Sequence, residues 1–144
     1  MGSDTPVTLE IADWKRDEAI LRSIREAVFV QEQGVPLALE WDGLDPACIH
    51  LIAYVDEQTA VGTGRLLRDG HIGRMAVLRP WRRRGIGSRL LQALIEIAQQ
   101  RGMPGCALNA QTHALAFYQR HGFVAEGSEF DDAGIAHRHM VLKR

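Results

Sequence analysis

Apolar and polar residues alternate from Val7 through Thr8, Leu9 and Glu10 to Ile11, the two-residue period of a half-buried strand. From Asp17 the period changes. Ile20, Leu21, Ile24, Ala27, Val28 and Val30 recur at three- and four-residue spacings around Arg22, Arg25 and Glu26, predicting an amphipathic helix that stops near Gln33-Gly34. Residues 36–46 have no period and carry Glu40, Asp42 and Asp45 around Trp41 and Gly43, so an irregular acidic loop is expected there. Residues 50–55, 60–67 and 71–78 read as an antiparallel meander, with turns at 56–59 and Asp69-Gly70 and a stop at Pro80.

A second helical stripe, Ile86, Leu90, Leu91, Leu94, Ile97 and Ala98, closes at Gly102. Residues 106–109 suggest a short apolar strand, 113–121 a helix ended by Gly122, and 123–126 with 135–142 a final strand pair. Strand, helix, three strands, helix, strand, helix and two strands make an α+β, mixed-sheet layout with helices on both faces. No internal repeat interrupts it.

At 144 residues the chain fits one domain, taken as 1–144, with Met1 to Ser3 set aside from fold reasoning. Its 46% apolar and 24% charged residues are those of a globular protein that needs no metal or disulfide staple. Seventeen Lys and Arg against eighteen Asp and Glu leave a net charge of -1, so no chain-wide field draws it to nucleic acid or to anionic lipid. No stretch approaches the ~20 apolar residues of a membrane span and no leader pattern opens the chain, so a cytoplasmic protein is expected. Cys48 and Cys106 lie far apart in apolar surroundings, as buried reduced thiols do.

The informative stretch is IGRMAVLRPWRRRGIGSRLL, residues 72–91: a strand, a proline stop, an arginine-rich glycine turn and an apolar helix. A turn of this kind aims unpaired N–H groups and the positive helix end at one point, where an anion belongs. Gly85 and Gly87 admit a phosphate close to the backbone, Ile86 and Ser88 add first-turn N–H groups, and Arg82, Arg83 and Arg84 bring charge-assisted donors. The spacing R-x-x-G-x-G is neither a dinucleotide-fold fingerprint nor a phosphate loop ending in Gly-Lys. Read by itself, RPWRRRG also fits a nucleic-acid patch with Trp81 stacking on a base, which the balanced net charge disfavours.

That spacing resembles the acyl-CoA-binding motif of the GNAT N-acetyltransferase family. Arg74-Met75-Ala76-Val77 resembles the family's fourth strand, and Ala114-x-x-Phe117-Tyr118-x-x-x-Gly122-Phe123 resembles its later signature. VFVQEQGVP (28–36), Glu40-x-Asp42-x-x-Asp45, LNAQ (108–111) and GIAHRHM (134–140) resemble the YjcF/ElaA-like branch. The resemblance implies a mostly antiparallel twisted sheet of roughly six or seven strands, splayed between the fourth and fifth to admit a pantetheine arm. It implies acetyl-CoA as acyl donor, no metal, and a primary amine of a small molecule or peptide as acceptor, attacked through a tetrahedral intermediate. Relatives often form homodimers, although no heptad or separate interface element is visible here.

The resemblance also distributes roles. Met75, Ala76, Val77, Asn109 and Phe117 would line the donor arm, with an N–H of Val77 or a neighbour polarising the thioester. Tyr118 would be general acid toward the CoA sulfur, and Glu32, at the end of the first helix, general base. Phe29, Gln33, Trp41, Asp42 and His137 would face the acceptor, with Trp14 on the same side and His137 as an alternative base. Glu40, Asp42 and Asp45 would attract a protonated amine, unless they form an ordinary acidic turn. The pair His137 and His139 lacks a further ligand at metal-site spacing. A non-catalytic acyl-CoA-binding module is the alternative.

Overall fold

The computed structural model describes residues 5–143, so Met1 to Ser3 lie outside the described residues. Strand β1 (Thr8–Ile11) leads to Asp13, whose carboxylate accepts the Arg16 N–H; helix α1 therefore starts at Trp14, three residues before the expected Asp17, and runs Trp14–Arg25. It continues as a π-helix over Glu26–Glu32 and stops where Gly34 takes φ +75°, at the expected place. Apolar spacing locates such a stop but does not reveal the change in hydrogen-bond step.

Strands β2 (Ile49–Asp56), β3 (Thr59–Leu66) and β4 (Ile72–Val77) extend β1 into a four-stranded antiparallel sheet in chain order. A second sheet places β7 (Ile135–Lys143) between β5 (Gly105–Gln111) and β6 (Val124–Asp132). The expected α+β architecture with seven strands is present, as two antiparallel sheets joined by one parallel bridge, His71 to Ala107. Beyond that bridge β4 and β5 part toward their C-terminal ends. Strand β6 outruns the expected 123–126 because Gly127, Ser128 and Glu129, where its register with β7 shifts, carry no apolar alternation.

Helix α3 (Ile86–Gln100) buries Leu90, Leu91 and Leu94 completely against the sheet, each such leucine contributing roughly 1.5–3 kcal/mol. Close approach explains the glycines opposite. A Cβ on Gly64 would stand 2.7 Å from Met75 Sδ and 2.8 Å from Leu94 Cδ1. On the other face Ile24 and Val28 pack on Ala76, so helices cover both sides. The expected helix at 113–121 is a 3-10 turn, Thr112–Ala114, followed by α4 (Leu115–Arg120).

Residues 36–46 differ most from expectation. They hold a short helix α2 (Leu37–Glu40) and the start of a 3-10 turn, Asp45–Ala47, and their acids turn inward. Arg25, 1% exposed, donates to Glu40 Oε2 at 2.7 Å and to Asp45 Oδ1 at 2.8 Å. Arg65 donates to Asp45 Oδ1 at 3.1 Å and to the two Asp42 oxygens at 3.1 and 2.9 Å. Trp41 lies under the guanidinium groups of Arg22 and Arg25, 4.3 and 4.9 Å from its ring centre, while Trp14 stacks on His50 at 5.1 Å. Trp41 and Asp42, expected to face the acceptor, are engaged here by Arg22, Arg25 and Arg65, which tie the loop to the sheet. Both cysteines are free, Cys106 buried and Cys48 half-buried.

Removing one member of this network should expose its weight. Arg25→Met takes from Glu40 and Asp45 their shortest ion pairs and is expected to lower the unfolding free energy in urea by about 3–5 kcal/mol. Arg22→Ala, which removes a surface pair with Glu18 and a guanidinium over Trp41, should cost about 1–2 kcal/mol. Equal losses in the two variants would refute the anchoring role.

Candidate functional site

The parting of β4 and β5 opens a cleft of about 730 Å³. The π-helical end of the first helix supplies Phe29, Glu32 and, one residue on, Gln33; β4 supplies Met75, Ala76 and Val77. Arg82, Asn109, Tyr118 and His137 complete the set of expected site residues that the fold gathers around it. Gln111, noted in the sequence only as part of LNAQ, donates to Gln33 Oε1 at 2.8 Å and so bridges β5 to the first helix.

Val77 has an edge to spare. The Leu78 N–H donates to Val61 O on β3 at 2.9 Å, so by strand alternation the N–H and C=O of Val77 face the open side. Its carbonyl accepts Arg82 Nε at 2.8 Å, which leaves the N–H as a donor on the cleft wall.

Arg82 also grips Glu32 with two parallel bonds, 2.6 and 2.7 Å, and Arg79 adds a contact at 3.2 Å. Hydrogen bonding from Arg82, aided by Arg79, holds the Glu32 carboxyl down at about 2. Both its oxygens are engaged and its proton affinity is minimal, so the expectation of a general base at Glu32 gives way to a clasp joining the first helix to the arginine turn.

Tyr118 packs edge-on against Phe117 at 5.0 Å and Phe123 at 6.0 Å, and burial pushes its phenol up to about 12. It is a neutral donor at any working pH. His137 donates from Nδ1 to the Ile135 carbonyl at 2.7 Å, which leaves the neutral ring an unprotonated Nε2. Asn109 Oδ1 lies 3.0 Å from His139 Nδ1.

The arginine turn adjoins the cleft at the start of α3. Gly85 caps that helix at φ +80° and no side chain among the described residues satisfies its first turn, so the N–H groups of Ile86, Gly87 and Ser88 point outward unclaimed by the helix. The Ile86 side chain is core, so it can offer a ligand only its backbone. Phe117 lies beside Gly87, where an added Cβ would come 3.6 Å from its ring. Ser88 Oγ meets His121 Nε2 at 3.1 Å, Arg83 is exposed at φ +62°, and Arg84 sits 5.0 Å over the Trp81 ring. An anion of several oxygens matches this concentration of donors.

Among the described residues no cluster of three or more His, Cys, Asp or Glu could hold a metal ion, and no helix is long and apolar enough to cross a membrane.

Comparison with known proteins gives one consistent result. The acetyltransferase (GNAT) domain family matches residues 16–144. The uncharacterised N-acetyltransferase YjcF of Bacillus subtilis is 42% identical over 122 residues, 82% of this chain and 86% of that protein. An acyl-CoA N-acyltransferase from Pseudomonas aeruginosa superposes with TM-score 0.84 at 28% identity, over 95% of this chain and 99% of the other. A Bacillus anthracis chain solved in complex with acetyl coenzyme A superposes with TM-score 0.59 at 25% identity, over 69% of this chain and 64% of the other.

The clasp has a pH signature. The Glu32 carboxyl is depressed from 4.5 to about 2, so its contribution to stability is complete above about 4.5 and lost as pH falls through about 2. Thermal melts from neutral pH into that window should decline less steeply for Glu32→Gln than for the wild type. Parallel curves would show that the carboxylate is not clasped in solution.

Proposed function

Since the chain belongs to the GNAT acetyltransferase family and is an acyl-CoA-dependent N-acetyltransferase, we propose that it moves the acetyl group of acetyl-CoA onto a primary amine of a small molecule or peptide by direct attack. The observation that carries this reading is an uncapped 15-residue helix beside two strands that do not pair. Acetyl-CoA supplies the activated acyl group. The first-turn N–H groups of Ile86, Gly87 and Ser88, with Arg83 and Arg84, hold its diphosphate; the β4 and β5 edges, with Met75, Ala76 and Asn109, take the pantetheine arm.

The Val77 N–H donates to the carbonyl oxygen as charge gathers on it. Tyr118, kept protonated by burial, donates its proton to the departing sulfur. His137 accepts the amine's proton at Nε2, the nitrogen its own backbone contact leaves free. Phe29 and Gln33 line the acceptor side.

Acetyl-CoA should raise the melting temperature, and a panel of amines should release free thiol. Tyr118→Phe is expected to lower kcat about 100-fold or more while changing acetyl-CoA Kd by less than about 2-fold. Full turnover by that variant would remove Tyr118 from its role. Stabilisation by acetyl-CoA with no thiol release for any amine would make the protein a binding module.

A further inference from the structure

We propose that the acceptor amine carries a carboxylate, and that Arg74 in the cleft wall is the residue that binds it; this rests on the acetyl-transfer reading above. Arg74 belongs to the strand that borders the cleft, yet it adopts φ +50°, a backbone state costly for any residue with a Cβ. It stands where the pairing of β3 with β4 jumps from Thr63–Ala76 to Arg65–Gly73. Ile72 packs into the α3-side core and Ala76 into the α1-side cluster, so the strand changes face across this bulge. The bulge leaves Arg74 lining the cleft, 25% exposed.

Its neighbours have already committed their acids. Glu40 gives its 2.7 Å contact to Arg25, and Asp42 gives two bonds to Arg65. Arg74 makes one hydrogen bond to the Glu40 main-chain carbonyl at 3.1 Å and a long one to Asp42 at 3.4 Å. Its Nε, 3.2 Å from Glu40 Oε2, has no hydrogen-bond geometry there, and Arg65 Nε, on a side chain 5% exposed in the same wall, has no partner at all.

Electrostatics agree with this inventory. Burial pulls Arg74 below the usual guanidinium value, and Glu40 and Asp42 only partly offset it. Burial acts on Arg65 as well, but there Asp42 and Asp45 outweigh it. Arg74 is therefore the least well matched cation of this network: it shares Glu40 with Arg25 and Asp42 with Arg65, and its Nε has no hydrogen-bond acceptor among the described residues. The cleft around it is lined by Phe29, Val35 and Leu39; of its carboxylates Glu32 is held in its clasp, Glu40 is turned to Arg25, and Asp132 comes from β6. Val77 stands three residues farther along the strand, beyond the bulge, which suits an amine and an acid on the same molecule with several bonds between them.

The test uses pairs of acceptors of increasing length, 4-aminobutyrate with 4-aminobutyramide and 6-aminohexanoate with 6-aminohexanamide, assayed by thiol release from acetyl-CoA. At the best length kcat/KM should favour the acid by about 10-fold or more. Arg74→Gln should lower kcat/KM for the acid by about 10- to 100-fold and bring the ratio within each pair near one. Arg74→Lys should keep part of the preference, and Asp42→Asn, which loosens the network but spares the guanidinium, should keep the ratio; melting temperatures and acetyl-CoA Kd separate misfolding from lost recognition. Calorimetry on the CoA complex, with 6-aminohexanoate and its amide, reads binding apart from turnover. Equal kcat/KM and equal binding within each pair would overturn this inference and leave acetyl transfer standing. No thiol release with any amine would count against the proposed function instead; carboxylate binding that Arg74→Gln abolishes would still uphold the anion site, and its absence would overturn it.

Discussion

Two strand edges that run side by side without pairing set the terms for the rest of this molecule. Past the His71 to Ala107 bridge, the facing main-chain groups of β4 and β5 forgo the partners a continuous sheet would give them. Such a gap persists only if something behind it holds the sheets in place. One core does so: Leu90, Leu91 and Leu94 of α3 share it with Leu66 of the first sheet and Leu108 and Met140 of the second. The helix fastens the two sheets across their backs, while its own first turn, uncapped, offers N–H groups beside the opening. Scaffold and donor site are thus one element read at its two ends.

The opposite wall of the cleft depends on a different force. Arg25, Arg65 and Arg74 face Glu40, Asp42 and Asp45, three cations against three anions, most of them out of water. Ion pairs of this kind add little net stability over a well-packed apolar core, yet they tolerate few alternative arrangements. Here they set how the first helix and α2 lie over β3 and β4, and so where Phe29, Glu32 and Gln33 enter the cleft. The geometry of this wall comes from charge matching, whereas that of the arginine turn comes from backbone.

What the sequence disclosed follows the same division. Backbone-dominated features were legible, because glycines, prolines and apolar periods report directly on chain path: the R-x-x-G-x-G turn, the stops at Gly34 and Pro80, and the stripe of α3 all stand where their residues suggested. Partnerships between distant charges were not. Glu40, Asp42 and Asp45 look alike in a string of letters, and nothing local says that Arg25 and Arg65 will bury them. Glu32 is similar: its candidacy as a base came from its place in the chain, and its engagement by Arg82, fifty positions on, is a product of the fold. A left-handed arginine in the middle of a strand leaves no mark on composition or periodicity, so the sequence shows Arg74 only as a member of the fourth strand.

The widened stretch Glu26–Glu32 has a bearing on how this wall of the cleft can diversify. A π-type segment holds surplus chain inside an otherwise continuous cylinder, so losing a residue from it rewinds the coil to α instead of breaking it. Because such a deletion removes only the surplus residue, everything downstream would keep nearly its place, whereas the same deletion in a plain α-helix would swing it by about 100° about the axis and draw it back by about 1.5 Å. Side chains inside the segment, Phe29 among them, would be re-aimed or exchanged, while Glu32 and Gln33 at its end would stay at the cleft. Descendants of this chain thus have a route to new specificity through a change in helix length, with the strands, the core and the glycine turn left intact.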